Sequence, residues 1–130
     1  MKSRSRFSAA ATAVSLAALG VVGLSSSPAA AAAVSCFGYS GTANSYGRTY
    51  IDWPHGPEEC FAVAPSGTVW HTWVGAGGWK QMPGGGTASH FVGFWDDWNG
   101  KTVKVVTDAG NNYCNYDDYA TNVWTGWWSC

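Results

Sequence analysis

Charge is scarce in this chain, and positive charge is scarcer. Only 12% of the residues are Asp, Glu, Lys or Arg. Beyond residue 33 the cations are Arg48, Lys80, Lys101 and Lys104, set against eight acidic side chains, a net charge of about −4. A nucleic-acid binder of this size needs a basic stripe to neutralise phosphates, and none is present. No C-x-x-C pair occurs, which argues against the common cysteine zinc sites. No glycine-rich stretch follows a strand and opens a helix, so the glycines read as turns and not as a phosphate cradle. Within Cys60 to Gly86 no 3.6-residue period competes with simple alternation, so short strands are expected there.

The one long apolar run is at the start. MKSRSRF carries three positive charges, Ser8 to Leu24 is rich in Ala, Val and Leu, and Ser25 to Ala33 is small. That order is the pattern of a secretory signal peptide. Residues 1–33 are therefore expected to be removed after Ala33, leaving Val34 to Cys130 as a single secreted, extracellular domain with no membrane association after processing.

All four cysteines lie beyond that cut, at Cys36, Cys60, Cys114 and Cys130. An even count in a small exported chain points to two disulfides. Of the three connectivities, the local pairs Cys36–Cys60 and Cys114–Cys130 are the expected ones. What is abundant is aromatic. The nine Trp and six Tyr all fall within these 97 residues, with four of the Phe. A domain this small buries only about 60–65% of its unfolded surface, so some of these rings must stay at the surface or in an interface.

Alternating runs bounded by Gly and Pro repeat along the chain. Val63-Ala64-Pro65-Ser66-Gly67 aligns with Val106-Thr107-Asp108-Ala109-Gly110 at an offset of 43, which also sets Trp70 over Tyr113, His71 over Cys114 and Trp73 over Tyr116. Trp79 falls over Trp124 after a two-residue insertion, and Trp53 over Trp95 at an offset of 42. Two repeats of four short strands are predicted, Tyr46–Gly86 and Thr87–Cys130. Four strands in about 40–45 residues is the spacing of a propeller blade. The expected fold is all-β, with two propeller-like repeats; a small disulfide-stapled β-sandwich is the alternative.

The order of Phe61–Gly67, Trp70-His71-Thr72-Trp73, Gly78-Trp79 and Gly84-Gly85 resembles the repeats of tectonin-type propeller lectins. The second half keeps Asp108, Gly110, Tyr113, Tyr116, Trp124 and Trp127. Two blades in so short a chain also resemble the small two-repeat bacterial propeller lectins that bind fucose and assemble as trimers. That resemblance implies a secreted carbohydrate-binding protein without a cofactor, binding a glycan or cell-surface polysaccharide. Two blades leave edges open, so a homo-oligomer is expected to close the ring, a dimer giving four blades or a trimer six. The fucose-binding pattern places an Arg on the second strand and a Glu on the third. Here those positions hold Phe61 and Lys104, then Trp70 and Tyr113, so fucose is not the implied ligand.

A sugar site needs aromatic faces for C–H groups and planar polar groups for hydroxyls. The candidate ligand-binding residues are Trp70, His71, Trp73, Trp79, Trp95, Lys104, Trp124 and Trp127. Trp98, Trp128, Asp96, Asp97, Asn99 and Asn115 supply further rings and polar groups. Trp70 and Trp73 are three apart on one strand and must face opposite sides. Asp96-Asp97 and Asp117-Asp118 read as turn clusters making local backbone bonds. His55 has no Ser or Cys nucleophile context, and Asp96 to Gly100 is too short for a 12-residue calcium loop. No enzyme, metal or cofactor is therefore expected. The competing class is a secreted protein-binding domain, such as a protease inhibitor or toxin-like protein, because exposed Trp and Tyr also serve protein interfaces.

Overall fold

The computed structural model describes residues 31–130. Most of the expected signal peptide, residues 1–33, therefore lies outside the described residues. The described chain is all-β. Strands β1 (Ala32–Cys36) and β2 (Tyr39–Ala43) form a hairpin. Strands β3 (Arg48–Ile51), β4 (Glu59–Val63), β5 (Val69–Trp73) and β6 (Lys80–Gln81) form an antiparallel sheet in chain order. Strands β7 (His90–Asp96), β8 (Gly100–Val106), β9 (Asn112–Asp118) and β10 (Val123–Trp124) form a second, with β11 (Trp128–Ser129) also pairing with β9. No sheet closes on itself. Strand β1 begins at Ala32, before the expected cut, but its pairs Val34–Gly41, Ser35–Ser40 and Cys36–Tyr39 lie wholly beyond it.

The two sheets repeat one hairpin. Between β4 and β5, Ala64 N–H donates to Thr68 C=O at 2.8 Å and Gly67 N–H to Ala64 C=O at 2.8 Å. Between β8 and β9, Thr107 N–H donates to Asn111 C=O at 2.9 Å and Gly110 N–H to Thr107 C=O at 2.9 Å. Gly67 and Gly110 take φ of 92° and 90°, a region a Cβ would strain. Every β4–β5 pair, from Val63↔Val69 to Glu59↔Trp73, recurs in β8–β9 at the sequence offset of 43.

The outer strands depart from that offset. A bulge at Val92 adds one residue to β7, between the Phe91↔Val105 and Gly93↔Lys104 pairs. Phe91 and Phe94 are three apart, yet the bulge turns both toward the core. It also pairs Trp95 with Thr102, as Ile51 pairs with Glu59, so Trp95 is not the counterpart of Trp53. In the fourth strand, His71↔Lys80 and Trp70↔Gln81 correspond to Cys114↔Trp128 and Tyr113↔Ser129. Trp79 therefore corresponds to Trp127. Trp124 belongs to β10, which pairs with the other half of β9.

The core lies between the sheets and contains Trp53, Phe61, Val63, Val69, Met82, Ala88, Val103 and Val105. Phe61 and Val63 face inward from β4, whereas their repeat equivalents Lys104 and Val106 face outward from β8. Val103 and Val105 face inward in their place. The repeats thus pack head to tail, one face of the first sheet against the non-equivalent face of the second. The far side of the first sheet is covered too: Cys60, Ala62, Trp70 and Thr72 are buried beneath the β1–β2 hairpin. The Cys36–Cys60 disulfide fastens that hairpin, as do hydrogen bonds from Trp79 Nε1 to Tyr39 C=O at 3.1 Å and from Asn44 N–H to Val63 C=O at 2.8 Å. The Cys114–Cys130 disulfide holds the two-residue β11 against β9. Both expected local pairings are present, and no described cysteine is free.

Candidate binding cleft

At one end of the core the inward parity of the strands continues past the apolar residues into charged ones. Glu59 continues the Phe61–Val63 row of β4, Lys101 the Val103–Val105 row of β8, and Asp117 the Tyr113–Asn115 row of β9. His71 and Trp73 lie on the same face of β5, and Trp124 pairs with Asp117. These side chains meet beneath a cleft of about 490 Å³, rimmed by Pro57, Glu58 and Asn122. The size suits a small ligand.

Glu59 is 2% exposed and accepts from three donors. Trp53 Nε1 lies 3.1 Å and Lys101 Nζ 2.5 Å from its Oε1, and His71 Nδ1 lies 2.6 Å from its Oε2. Burial pushes its pKa up, but the hydrogen bonds and charges of His71 and Lys101 outweigh burial and hold the carboxyl below its usual range. Both oxygens are already engaged, so Glu59 is not a free base. Lys101 Nζ is also ringed by aromatic faces, 5.7 Å from the centroid of Trp53, 5.8 Å from Tyr119 and 5.4 Å from Trp124.

Asp117 is placed differently. Its Oδ2 sits 3.5 Å from Lys101 Nζ, while its Oδ1, buried, has no hydrogen-bond partner among the described residues. Burial raises its pKa and Lys101 only partly offsets this, while Glu59 adds to the rise. A buried acceptor left without a donor costs free energy. Such a group invites a ligand donor.

The cleft brings together three of the eight expected ligand residues, His71, Trp73 and Trp124. The other five lie elsewhere. Trp70 is 6% exposed beneath the hairpin, and its Nε1 donates to Thr68 Oγ1 at 2.8 Å. Trp79 holds β2 from below. Trp127 packs on the core and lies so close to Gly84 that a Cβ there would meet its Cδ1 at 2.5 Å. Trp95 and Lys104 lie on the outer face of the second sheet, with the Trp95 ring over Gly93. Asn115 is fully buried and ties two loops together, donating to Pro83 C=O at 3.0 Å and accepting from Gly126 N–H at 2.9 Å.

The acidic pairs divide within themselves. Asp97 and Asp118 make the local backbone bonds expected of turn residues, Asp97 Oδ1 accepting from Asn99 N–H and Asp118 Oδ1 from Ala120 N–H, both at 2.8 Å. The side chains of Asp96 and Asp117 instead meet groups distant in the sequence. Asp96 accepts from His55 N–H at 2.9 Å, His55 Nδ1 at 3.2 Å and Tyr119 Oη at 2.9 Å. Burial pushes the Asp96 pKa up, but these donors hold the carboxyl below its usual range. In turn, burial and the bond to Asp96 push the Tyr119 hydroxyl up.

Glu59, Lys101 and Asp117 were absent from the sequence-derived ligand set. Their signal was parity: Glu59 and Lys101 sit an even number of residues from buried apolar side chains on their strands, and Asp117 from buried Asn115 and half-buried Tyr113. No residue lining the cleft carries a hydroxyl or thiol nucleophile. The described residues contain no cluster of His, Cys, Asp and Glu arranged to hold a metal ion. No family model, curated protein or solved structure matches this chain.

Proposed function

We propose that this chain is an exported carbohydrate-binding protein whose ligand enters the cleft between the two sheets. The observation that carries the reading is the pairing of two indole walls, Trp73 and Trp124, with the unsatisfied acceptor of Asp117. A sugar ring offers a C–H face for an indole and an O–H donor for the carboxylate, so one ligand class meets both needs. Glu59, with both oxygens held by donors, is withdrawn from acid–base work beside Asp117, which favours binding without turnover. The head-to-tail repeats support a reading as two propeller-type blades, and the two disulfides are consistent with export. A ring closed by further copies would have to displace the hairpin that covers the first sheet, so a monomer is the simpler assembly. Its check is native mass.

The test is a glycan array probed with the oxidised protein and with Trp73→Ala. Signal on one glycan class, lost in a folded Trp73→Ala, supports the reading. A blank array at high protein concentration would sink it. The protein-binding alternative draws on a separate observation, the exposed rings outside the cleft: Trp98, Trp95 and Trp128 are 82%, 49% and 43% exposed. A partner that still bound Trp73→Ala but not Trp95→Ala would favour that alternative.

A further inference from the structure

The cleft carries an excess of negative charge. Glu58, Glu59 and Asp117 line it against Lys101 and His71, three carboxylates to two basic groups; His71 is spent on Glu59, and Lys101 already contacts both Glu59 and Asp117. The walls contribute in the same direction, because the faces of Trp73 and Trp124 attract cations. A uronic or sialic acid would meet like charge here. A neutral sugar would leave the excess uncompensated. The unpaired Oδ1 of Asp117, a residue 4% exposed, is the independent sign of a missing donor.

Resting on the carbohydrate reading, we propose that the cleft is selective for a cationic sugar, a 2-amino-2-deoxy-hexose unit with a free ammonium, whose N–H donates to the Asp117 carboxylate while the ring stacks on a cleft indole. An ammonium meets every feature at once. It supplies a charge-assisted donor to the buried carboxylate, it favours the indole faces, and it balances the charge that Lys101 and His71 leave over. The cleft volume of about 490 Å³ leaves room for a ring beside the ammonium, which a bare alkylammonium such as a lysine side chain would not fill.

The experiment titrates the oxidised protein, following Trp fluorescence and calorimetric heat, at a pH where the sugar amine is protonated. The probes are a glucosamine tetramer, its fully N-acetylated counterpart and cellotetraose. The glucosamine tetramer is expected to bind at least about tenfold more tightly than the other two, the scale of one charge-assisted hydrogen bond. Asp117→Asn should bring the three within about twofold of one another. Glu58→Gln, at the exposed rim and outside the buried network, should reduce the preference by about two- to threefold even if Asp117→Asn does not fold. Equal or tighter binding of the acetylated or neutral tetramer would overturn cation selectivity and leave the carbohydrate reading standing. No binding of any tetramer, together with a blank glycan array, would overturn both. Competition by a lysine-containing peptide as strong as by glucosamine would assign the cleft to a protein side chain and overturn the proposal.

Discussion

Glu59 and Asp117 are two carboxylates beside one ammonium, only 2% and 4% exposed, and their environments are opposite. Burial pushes both pKa values up. Glu59 overcomes this with three donors on two oxygens and stays ionised, whereas Asp117 has one cation at 3.5 Å and an idle oxygen. Depth alone therefore does not separate a structural carboxylate from a candidate ligand group; the supply of donors does. Asp96, also held by three donors, falls on the structural side.

The largest expected effect breaks the structural member. Glu59→Leu strands Lys101 and His71 without their shared partner and should cost about 3–5 kcal/mol, a large part of the stability of a small domain. Urea denaturation of the oxidised protein measures it, and a loss under about 1 kcal/mol would show that the network is not what holds this end of the sheets together.

Next come the two staples, whose removal compares the covered and open flanks. Replacing Cys36 and Cys60 by Ser opens a loop with a separation of 24 residues, and replacing Cys114 and Cys130 one of 16. Loop entropy puts each loss at about 3 kcal/mol. Only the first should also expose Trp70, seen as a red shift in its emission in the folded protein.

Titration sharpens the comparison further. The lowered pKa of Glu59 stabilises the fold above its ordinary value of 4.5, and that contribution is lost as pH falls through the folded value. The raised pKa of Asp117 acts in reverse. Its native state holds the proton more tightly, so its contribution is complete below 3.8 and is lost as pH rises through the folded value. Asp117→Asn should therefore flatten the decline in stability on the alkaline side of 3.8 while keeping the acid loss due to Glu59. Denaturation curves from pH 3 to 8 read both; an unchanged alkaline slope in Asp117→Asn would refute the assignment.

The smallest effect lies outside the cleft. Trp98 is 82% exposed beside His55, and Trp98→Ala should change stability by less than about 0.5 kcal/mol and leave cleft binding intact. Loss of sugar binding in that variant would move the site to the loop at Asp97–Asn99.

Much of the frame was legible before any coordinates. Alternation marked the strands, Gly67 and Gly110 marked equivalent hairpins, and the offset of 43 held across every β4–β5 pair. The local disulfides were the favoured of three possible connectivities, and both are present. The split of Trp70 and Trp73 to opposite faces was also correct, although the outer face is covered, so Trp70 is the more buried of the two. Less legible were the features that depend on another segment. The Val92 bulge and the second pairing partner of β9 reset which rings correspond, and no local pattern announces either. Asp117 looked like half of a turn pair because its neighbour Asp118 behaves as one.

Periodicity and turn chemistry are properties of a few consecutive residues, and they were enough to determine most of the strands and the repeated hairpin. Which charged side chains meet is a different matter. Glu59, Lys101 and Asp117 come from strands as much as 58 residues apart, and their meeting requires that the sheets pack head to tail. That packing depends on the sum of all inward faces and on the hairpin covering the other flank. Only the tertiary structure decided it, and with it which of nine tryptophans wall the cleft.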